Sequence, residues 1–356
     1  MPDTPHFRIG TRGSDLALWQ AHYVRDLIAS AGGTSEIIVL STQGDREQVQ
    51  SFEKLEGKGF FTKEIEDALL ENRIDIAVHS HKDLETQQPQ GLSIVAVPAR
   101  ASQRDALLIR EPRHTAGPWL PLPQGAIVGT SSVRRRDQLL LLRPDLRIEA
   151  LRGNVPTRVR RLQEGLYDAI VLAEAGLDRL ALSMEGVVRH SLDPSTFVPA
   201  PAQGALALQM RNTDPKASFL AALTDPSAQS GVSSERAVLR ALEGGCQLPF
   251  GAHWNTEGHN LRCFLQSNTG PRRIVAPHAE AALSQLSAPR PFQVLITRSP
   301  RTNSVLSRLA SGCGATLIES PLIAVKPLLY LDTSIFELLP DTSGYLGVAT
   351  EYRCLW

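Results

Sequence analysis

The sequence predicts an α/β protein with two α/β lobes facing a cleft, a small α+β third domain, and a partial α/β segment at the C-terminal end. Three observations carry that expectation. Strand-like and helix-like runs alternate in two successive sets before residue 210, as in sheets built from strand–helix–strand units. Near Ser233 the pattern changes to an amphipathic helix that runs into a Gly-Gly-Cys turn. A third alternation begins after Ser287-Ala288-Pro289-Arg290-Pro291, a stretch with linker composition.

In chain order, residues 7–11 read as a strand and residues 14–31 as a helix with Leu16, Trp19, Ala21 and Tyr23 among its apolar positions. Residues 36–41 are apolar and β-branched. Residues 62–72 place Ile65, Ala68 and Leu69 at helical spacing behind Thr62, a residue type that caps helices. Residues 74–79 and 92–97 are strands. The second set is a strand at 126–129, helix 133–142, strand 147–151, helix 157–164 and strand 169–172. Alternation of this kind predicts parallel sheets with ligand at the carboxyl ends of the strands. The Pro/Gly-rich residues 111–125 are expected near the crossing between lobes, and a strand at 205–209 is expected to return to the first lobe. A helix at 233–243 follows. Beyond the linker come a strand at 292–297, a helix at 303–311 and a strand at 316–320. The implied domains are residues 1–104 with 205–225, residues 105–204, a shortened unit at 226–287, and an incomplete segment at 288–356.

Composition excludes several classes. Lys+Arg and Asp+Glu both number 37, so no global field recruits nucleic acid or an anionic membrane. Aromatic residues make up 5% and none interleave with the basic cluster, which argues against stacking on single strands. No apolar run approaches the roughly 18 residues that span a bilayer, and residues 1–7 lack the pattern of a signal peptide. The cysteines are Cys246, Cys263, Cys313 and Cys354, with no CxxC pair, so neither a zinc site nor a disulfide framework is expected. These features point to reduced thiols and a cytoplasmic location.

The most informative stretch is Glu243-Gly244-Gly245-Cys246-Gln247-Leu248-Pro249. Glycine after a periodic run ends a helix, because it alone takes the left-handed backbone without penalty. The turn presents the Cys246 thiol outward; a thiol packed in a core is the competing reading. The densest charge feature is residues 131–161, with nine arginines against Asp137, Asp145 and Glu149. Ser131 and Ser132 stand between a strand and a helix, where free backbone N–H groups favour an anion. Arg134 and Arg135 lie in the first helical turn, unfavourable against the helix dipole unless an anion offsets them. Arg152-Gly153-Asn154 repeats the arrangement after the next strand. For Arg134, Arg135 and Arg152, carboxylate binding is the expectation. For Arg136, Arg143, Arg160 and Arg161 it is a solvated face. His79-Ser80-His81-Lys82-Asp83 ends a strand. If the strand persisted, Ser80 and Lys82 would share one face, and His79, His81 and Asp83 the other. Asp83 at a cleft would serve as acid/base or hold a developing cation, with an ion pair to Lys82 as the structural alternative. Two histidines at this spacing make a weak metal pair with no third ligand in view, and no metal is expected. Gly57-Lys58-Gly59-Phe60-Phe61 reads as a loop that covers a site.

These segments together resemble the porphobilinogen deaminase (hydroxymethylbilane synthase) family, from about Arg8 to Gly251. The resemblance rests on Arg8-Ile9-Gly10-Thr11-Arg12, Gly57-Lys58-Gly59-Phe60, Asp75-Ile76-Ala77-Val78-His79-Ser80-His81-Lys82-Asp83, Val128-Gly129-Thr130-Ser131-Ser132-Val133-Arg134-Arg135, Leu151-Arg152-Gly153-Asn154, Gln203-Gly204 and Gly244-Gly245-Cys246. It implies two periplasmic-binding-protein-like lobes, and a dipyrromethane cofactor held by thioether to Cys246 with Ser80, Lys82, Ser131, Arg134 and Arg135 around it. It implies substrate binding by Arg12, Ser14, Lys58, Arg152 and Gln203, and makes Asp83 the catalytic acid. The reaction implied is stepwise head-to-tail condensation of four porphobilinogen molecules to hydroxymethylbilane with release of ammonia, in tetrapyrrole biosynthesis. Three positions depart from the family pattern: His81, Glu85 and Ala202. Val294-Leu295-Ile296-Thr297-Arg298 with Pro321-Leu322-Ile323 resembles the opening of uroporphyrinogen III synthase. That implies a fusion, with hand-off of product to a separate synthase; the segment is too short for a complete synthase, so the second activity is not expected, and the chain is expected to be a monomer.

Two other readings compete. A two-lobed anion-binding module would use the same cleft without chemistry, and gives Cys246 no role. A deaminase degenerated through its short third domain would keep every motif.

Overall fold

The structure, a computed structural model, describes residues 4–40, 62–117, 120–242, 248–267, 270–288, 293–296 and 316–319. Thr34–Leu40 (β2), His6–Arg12 (β1) and Ile76–Ser80 (β3) run parallel, with β1 central because its strand-helix-strand crossovers return to either side. Leu206–Arg211 (β10) then pairs antiparallel with β3 and with Leu92–Ala96 (β4), giving the order β2-β1-β3-β10-β4. A second sheet repeats the plan. Arg147–Glu149 (β7), Ile127–Gly129 (β6) and Ala169–Ala173 (β8) are parallel. Asp105–Arg110 (β5) pairs antiparallel with β8 and with Val187–Ser191 (β9), giving β7-β6-β8-β5-β9.

Both sheets are therefore mixed, where alternation alone predicts parallel ones. In each, the antiparallel member next to the third parallel strand comes from elsewhere in the chain. Neither β5 nor β9 is among the strands expected from the sequence. Residues 111–117 and 120–125 lie within the second lobe, where Leu120 and Leu122 join its core; the crossing from the first sheet runs instead between β4 and β5.

Helices cover both sheets. Asp15–Ser30 (α1) buries Ala21, Val24 and Ile28 against Phe7, Ile9, Ile76 and Leu208, while Lys63–Leu70 (α2) buries Ile65, Ala68 and Leu69 on the opposite face with Ala77. Thr62 makes no side-chain cap to α2, because its own backbone is already helical. Val133–Leu142 (α3), Val155–Gln163 (α4) and Glu174–Leu180 (α5) serve the second sheet. There β5 alternates Leu107 and Ile109 into one core and Ala106 and Leu108 into the other. A strand buried on both faces shows no period-2 contrast in its sequence.

Ala217–Ala221 (α6) precedes the long Pro226–Ala241 (α7), which Asp225 caps by accepting from Ala228 N at 2.7 Å. Phe250–Asn255 (β11) pairs antiparallel with Asn260–Ser267 (β12), and Gly270–Ala276 (β13) completes that sheet. Ala279–Ser287 (α8) follows. Separately, Gln293–Ile296 (β14) and Thr316–Glu319 (β15) form a parallel pair, and the expected helix at 303–311 lies outside the described residues.

One buried acid organises the junction. Glu235 on α7 accepts both Arg100 Nη1 and Nη2 at 2.9 and 2.8 Å, Ala202 N at 2.7 Å and Trp254 N at 2.8 Å. It thereby ties together the β4–β5 crossing, the loop before β10, and β11. A buried carboxylate is tolerable when every lone pair is matched in this way. Gly204, beside that loop, has φ +85°, and a Cβ there would lie 2.5 Å from the carbonyl oxygens of Ala101 and Ser102. Only glycine permits this close passage.

Candidate functional site

A cavity of about 90 Å3 opens between the two sheets. Ser80 and Lys82 reach it from the end of β3, Leu16 from α1, Arg135 from α3, Arg158 from α4, and Arg179 from α5. The strand ends at Ser80, and His81–Asp83 form a 3₁₀ turn. This corrects the extended alternation: Ser80 and Lys82 do share the cleft side with His81 behind them, but the turn carries Asp83 away from the histidine face. Asp83 is exposed, and its charge acts on Lys82 and on Arg158 across the cleft. Ser80 Oγ accepts from Gln20 Nε2 at 2.8 Å, which fixes the strand end against α1.

Cations dominate the lining. Burial pushes Lys82 down to about 8, with Asp83 opposing the shift and Arg135 adding to it. Burial, then Arg135, lowers Arg158 to about 10. Arg158, which lines the cavity beside Val155, donates from Nε to Gly153 O at 2.7 Å. Arg179 stacks over Trp19 at 5.5 Å and donates to Gly204 O at 2.8 Å. A pocket of this size and charge suits carboxylated side arms rather than a whole two-ring group.

Beneath the cleft sits Asp105, a residue the sequence reading did not single out. Its Oδ1 accepts from Arg135 Nη2 at 2.7 Å, Arg135 Nε at 3.1 Å and Gln203 Nε2 at 3.0 Å. Arg134 Nη1 forms an ion pair with Oδ2 at 2.9 Å and also donates to Val198 O at 2.7 Å. Burial alone would raise the Asp105 carboxyl, but Arg134 and Arg135 outweigh it and hold it well below the usual carboxylate range. The offset expected from a bound anion at these two arginines is thus supplied, at least in part, by an internal one.

The remaining expected site residues are placed as follows. Arg134 and Gln203 are buried, and Gln203 Nε2 also donates to Gln103 O at 2.9 Å, so both stand a layer below the cavity. Ser14 caps α1, accepting from Ala17 N, and Arg12 is half-buried at the end of β1. Ser131 Oγ donates to Leu151 O at 2.8 Å and accepts from Leu151 N at 3.1 Å, lacing the two basic loops together. Arg152 is half-buried after β7, its carbonyl accepting from Arg161 Nη1 at 3.0 Å. Lys58 and Cys246 lie outside the described residues.

Of the arginines expected on a solvated face, Arg136 and Arg160 are exposed and paired with Asp137 and Glu164. Arg143 is instead a structural clasp, bidentate to Asp145 and donating to the carbonyls of Leu120, Leu122 and Pro123. The weak metal pair is dissolved: His79 Nε2 bonds Gln209 Oε1 at 2.9 Å, and no cluster of metal-ligating side chains occurs among the described residues. No helix among them is long and apolar enough to cross a membrane. Arg158 stood in the sequence only as one member of the basic cluster, and Arg179 lies outside that cluster.

The sequence profile described as porphobilinogen deaminase, dipyromethane cofactor binding domain, matches residues 7–218, and that of the porphobilinogen deaminase C-terminal domain matches residues 230–276. The porphobilinogen deaminase of Phenylobacterium zucineum is 42% identical over 301 residues, covering 81% of this chain and 92% of the relative. That of Acidithiobacillus ferrooxidans is 46% identical over 283 residues, covering 78% and 90%. Among solved structures, the periplasmic VFT2 domain of Bordetella pertussis BvgS overlaps with a TM-score of 0.39 at 16% identity, covering 67% of this chain and 94% of that one, a likeness too slight to argue from. With matches covering both lobes and the unit that follows them, the chain belongs to the porphobilinogen deaminase (hydroxymethylbilane synthase) family of transferases.

Proposed function

We propose that this chain condenses four porphobilinogen molecules head to tail into hydroxymethylbilane, releasing ammonia, and that the cleft between the two sheets is where it does so. The observation that carries the reading is the convergence of Lys82, Arg135, Arg158 and Arg179 on one cavity beside an exposed Asp83. The carboxylates of a dipyrromethane cofactor, two on each ring, match such a lining, where Lys82, Arg135, Arg158 and Arg179 are countered by Asp83 at the rim and Asp105 below. Held through Cys246, that group would supply the free pyrrole α-carbon to which the first substrate is joined, the later ones joining the end of the growing chain.

The chain's own residues then divide the work. Lys82, Arg135 and Arg158 bind carboxylates of cofactor and substrate, with Ser80 orienting the strand end that bears Lys82. Ser131 holds the loop that places Arg152, and Arg12, Ser14, Lys58 and Arg152 bind substrate. Arg134 and Gln203 act through Asp105, which fixes the guanidinium of Arg135 in place. Asp83 lies where positive charge develops on a pyrrole ring, stabilises it, and exchanges protons with the pyrrole nitrogens. The lobes are residues 1–104 with 205–225 and residues 105–204, and residues 226–287 carry the cofactor turn. The protein acts as a cytoplasmic monomer and passes its product to uroporphyrinogen III synthase. Residues 288–356 contribute no synthase activity; specific formation of the type III isomer by the purified chain would contradict that.

The direct test is turnover of porphobilinogen by the purified protein with ammonia release, beside Asp83→Asn. The proposal requires turnover in the parent and a loss of about 100-fold or more in the variant. A protein that binds porphobilinogen without consuming it supports the binding-module reading.

A further inference from the structure

Trp19 stands among the apolar positions of α1, yet it is 37% exposed, whereas Ala21, Val24 and Ile28 of the same helix are buried. Its ring stacks on Tyr23, four residues along the helix, with centroids 5.5 Å apart and planes 8° from parallel. Tyr23 in turn packs against the core of the first lobe. The indole is therefore held in a set orientation at the surface of that lobe.

The guanidinium of Arg179, from α5 of the second lobe, lies over this indole, 5.5 Å from the ring centroid. That is inside the roughly 6 Å reach of a cation–π contact. The two helices approach closely here, since Leu16 Cδ2 stands 3.8 Å from the Cβ position of Gly176. Arg179 Nη2 donates to Gly204 O at 2.8 Å, and Nε is buried without a hydrogen-bond partner. Among the described residues Arg179 forms no ion pair, and its sequence neighbour Asp178 is taken by Arg189 at 2.6 Å. Burial lowers the guanidinium from its ordinary value, with Tyr23 and Asp178 opposing the shift.

This arrangement contrasts with Arg135 in the same cavity, which Asp105 fixes by an ion pair at 2.7 Å. A carboxylate immobilises an arginine but cancels the charge that a ligand would use. An aromatic face holds the planar guanidinium through its ring quadrupole and leaves the charge uncancelled. We propose that Trp19 is a positioning residue for porphobilinogen binding: its indole, on one lobe, holds the Arg179 guanidinium of the other lobe at the cleft as an uncancelled cation for a substrate carboxylate. This rests on the reading of the cleft as the condensing site.

The test uses the full-length holoenzyme and the variants Trp19→Leu, Trp19→Phe, Arg179→Gln and Trp19→Leu with Arg179→Gln. Calorimetry of porphobilinogen binding in an Asp83→Asn background reads affinity apart from turnover, and steady-state kinetics with Asp83 intact read KM and kcat. Trp19→Leu is expected to weaken binding and raise KM about fivefold, the loss of one partly exposed cation–π contact, with kcat within about twofold of the parent. Trp19→Phe, which keeps an aromatic face, should recover most of that loss. In the Arg179→Gln background, Trp19→Leu should add nothing, because the two side chains act as one unit. Unchanged affinity in Trp19→Leu overturns the proposal. So does a Trp19→Phe protein as weak as Trp19→Leu, or a fivefold loss that persists when Arg179 is already Gln. A parent that neither binds nor consumes porphobilinogen removes the proposed function and this proposal with it, whereas a parent that turns over normally beside an indifferent Trp19→Leu removes this proposal alone.

Discussion

Asp105 Oδ1 lies 2.7 Å from Arg135 Nη2, beneath the wall of the cleft, and joins the first residue of β5 to the first turn of α3. The pair explains how an arginine can sit at a helix N-terminus, where the dipole disfavours it, and still present a fixed guanidinium to the cavity.

Removing that anion strands two buried cations. Asp105→Asn is expected to cost about 3–5 kcal/mol in denaturant unfolding. Asp105 is held below its ordinary carboxylate value, so its contribution is fully present above about pH 4 and is lost as pH falls through the lower folded-state value. The parent should therefore lose stability on acidification more steeply than the variant. Equal slopes would mean that the pair contributes nothing.

Glu235→Gln makes a second stability prediction. Arg100 would keep its buried charge with no counter-ion, so about 3–5 kcal/mol is expected to be lost, with an unchanged denaturant slope if the fold is otherwise intact. An unfolding midpoint within error of the parent would refute the tie through Glu235.

Much of the plan was legible in the sequence. Apolar positions spaced for helices and strands mark β1, α1, α3 and β8 because each buries one face or lies in a parallel core. The mixed topology was not legible. In β5, Leu107 and Leu108 face opposite cores and read as an unpatterned run, and β9 is an edge strand with Arg189 and His190 in it. Ser80 and Lys82, two positions apart in sequence, both line the cavity. Asp105 and Glu235 were not legible, because their partners lie 30 and 135 positions away. Glu235 next to Arg236 reads as a solvated pair, yet both are buried and face different partners.

Lys82 sets a pH dependence. With its ammonium pushed down to about 8, it is charged below that value and neutral above it. In the free enzyme, kcat/KM for porphobilinogen should fall as pH rises through about 8, and Lys82→Arg should move the break upward because guanidinium stays charged. A break that stays in place in Lys82→Arg assigns it to another group.

Arg158→Gln isolates carboxylate binding. Arg158 makes no ion pair among the described residues, so the melting temperature should change little while KM rises about tenfold, the loss of one charge-assisted contact. A fall in kcat at constant KM would move Arg158 into the chemical step.

The central claim is tested most directly by the intact mass of the protein purified from a host that makes porphobilinogen, beside Cys246→Ala. The account predicts a covalent increment equal to a two-pyrrole unit in the parent and none in the variant. A parent of unmodified mass, even after incubation with porphobilinogen, would contradict it and leave the cleft as an anion-binding site without a cofactor.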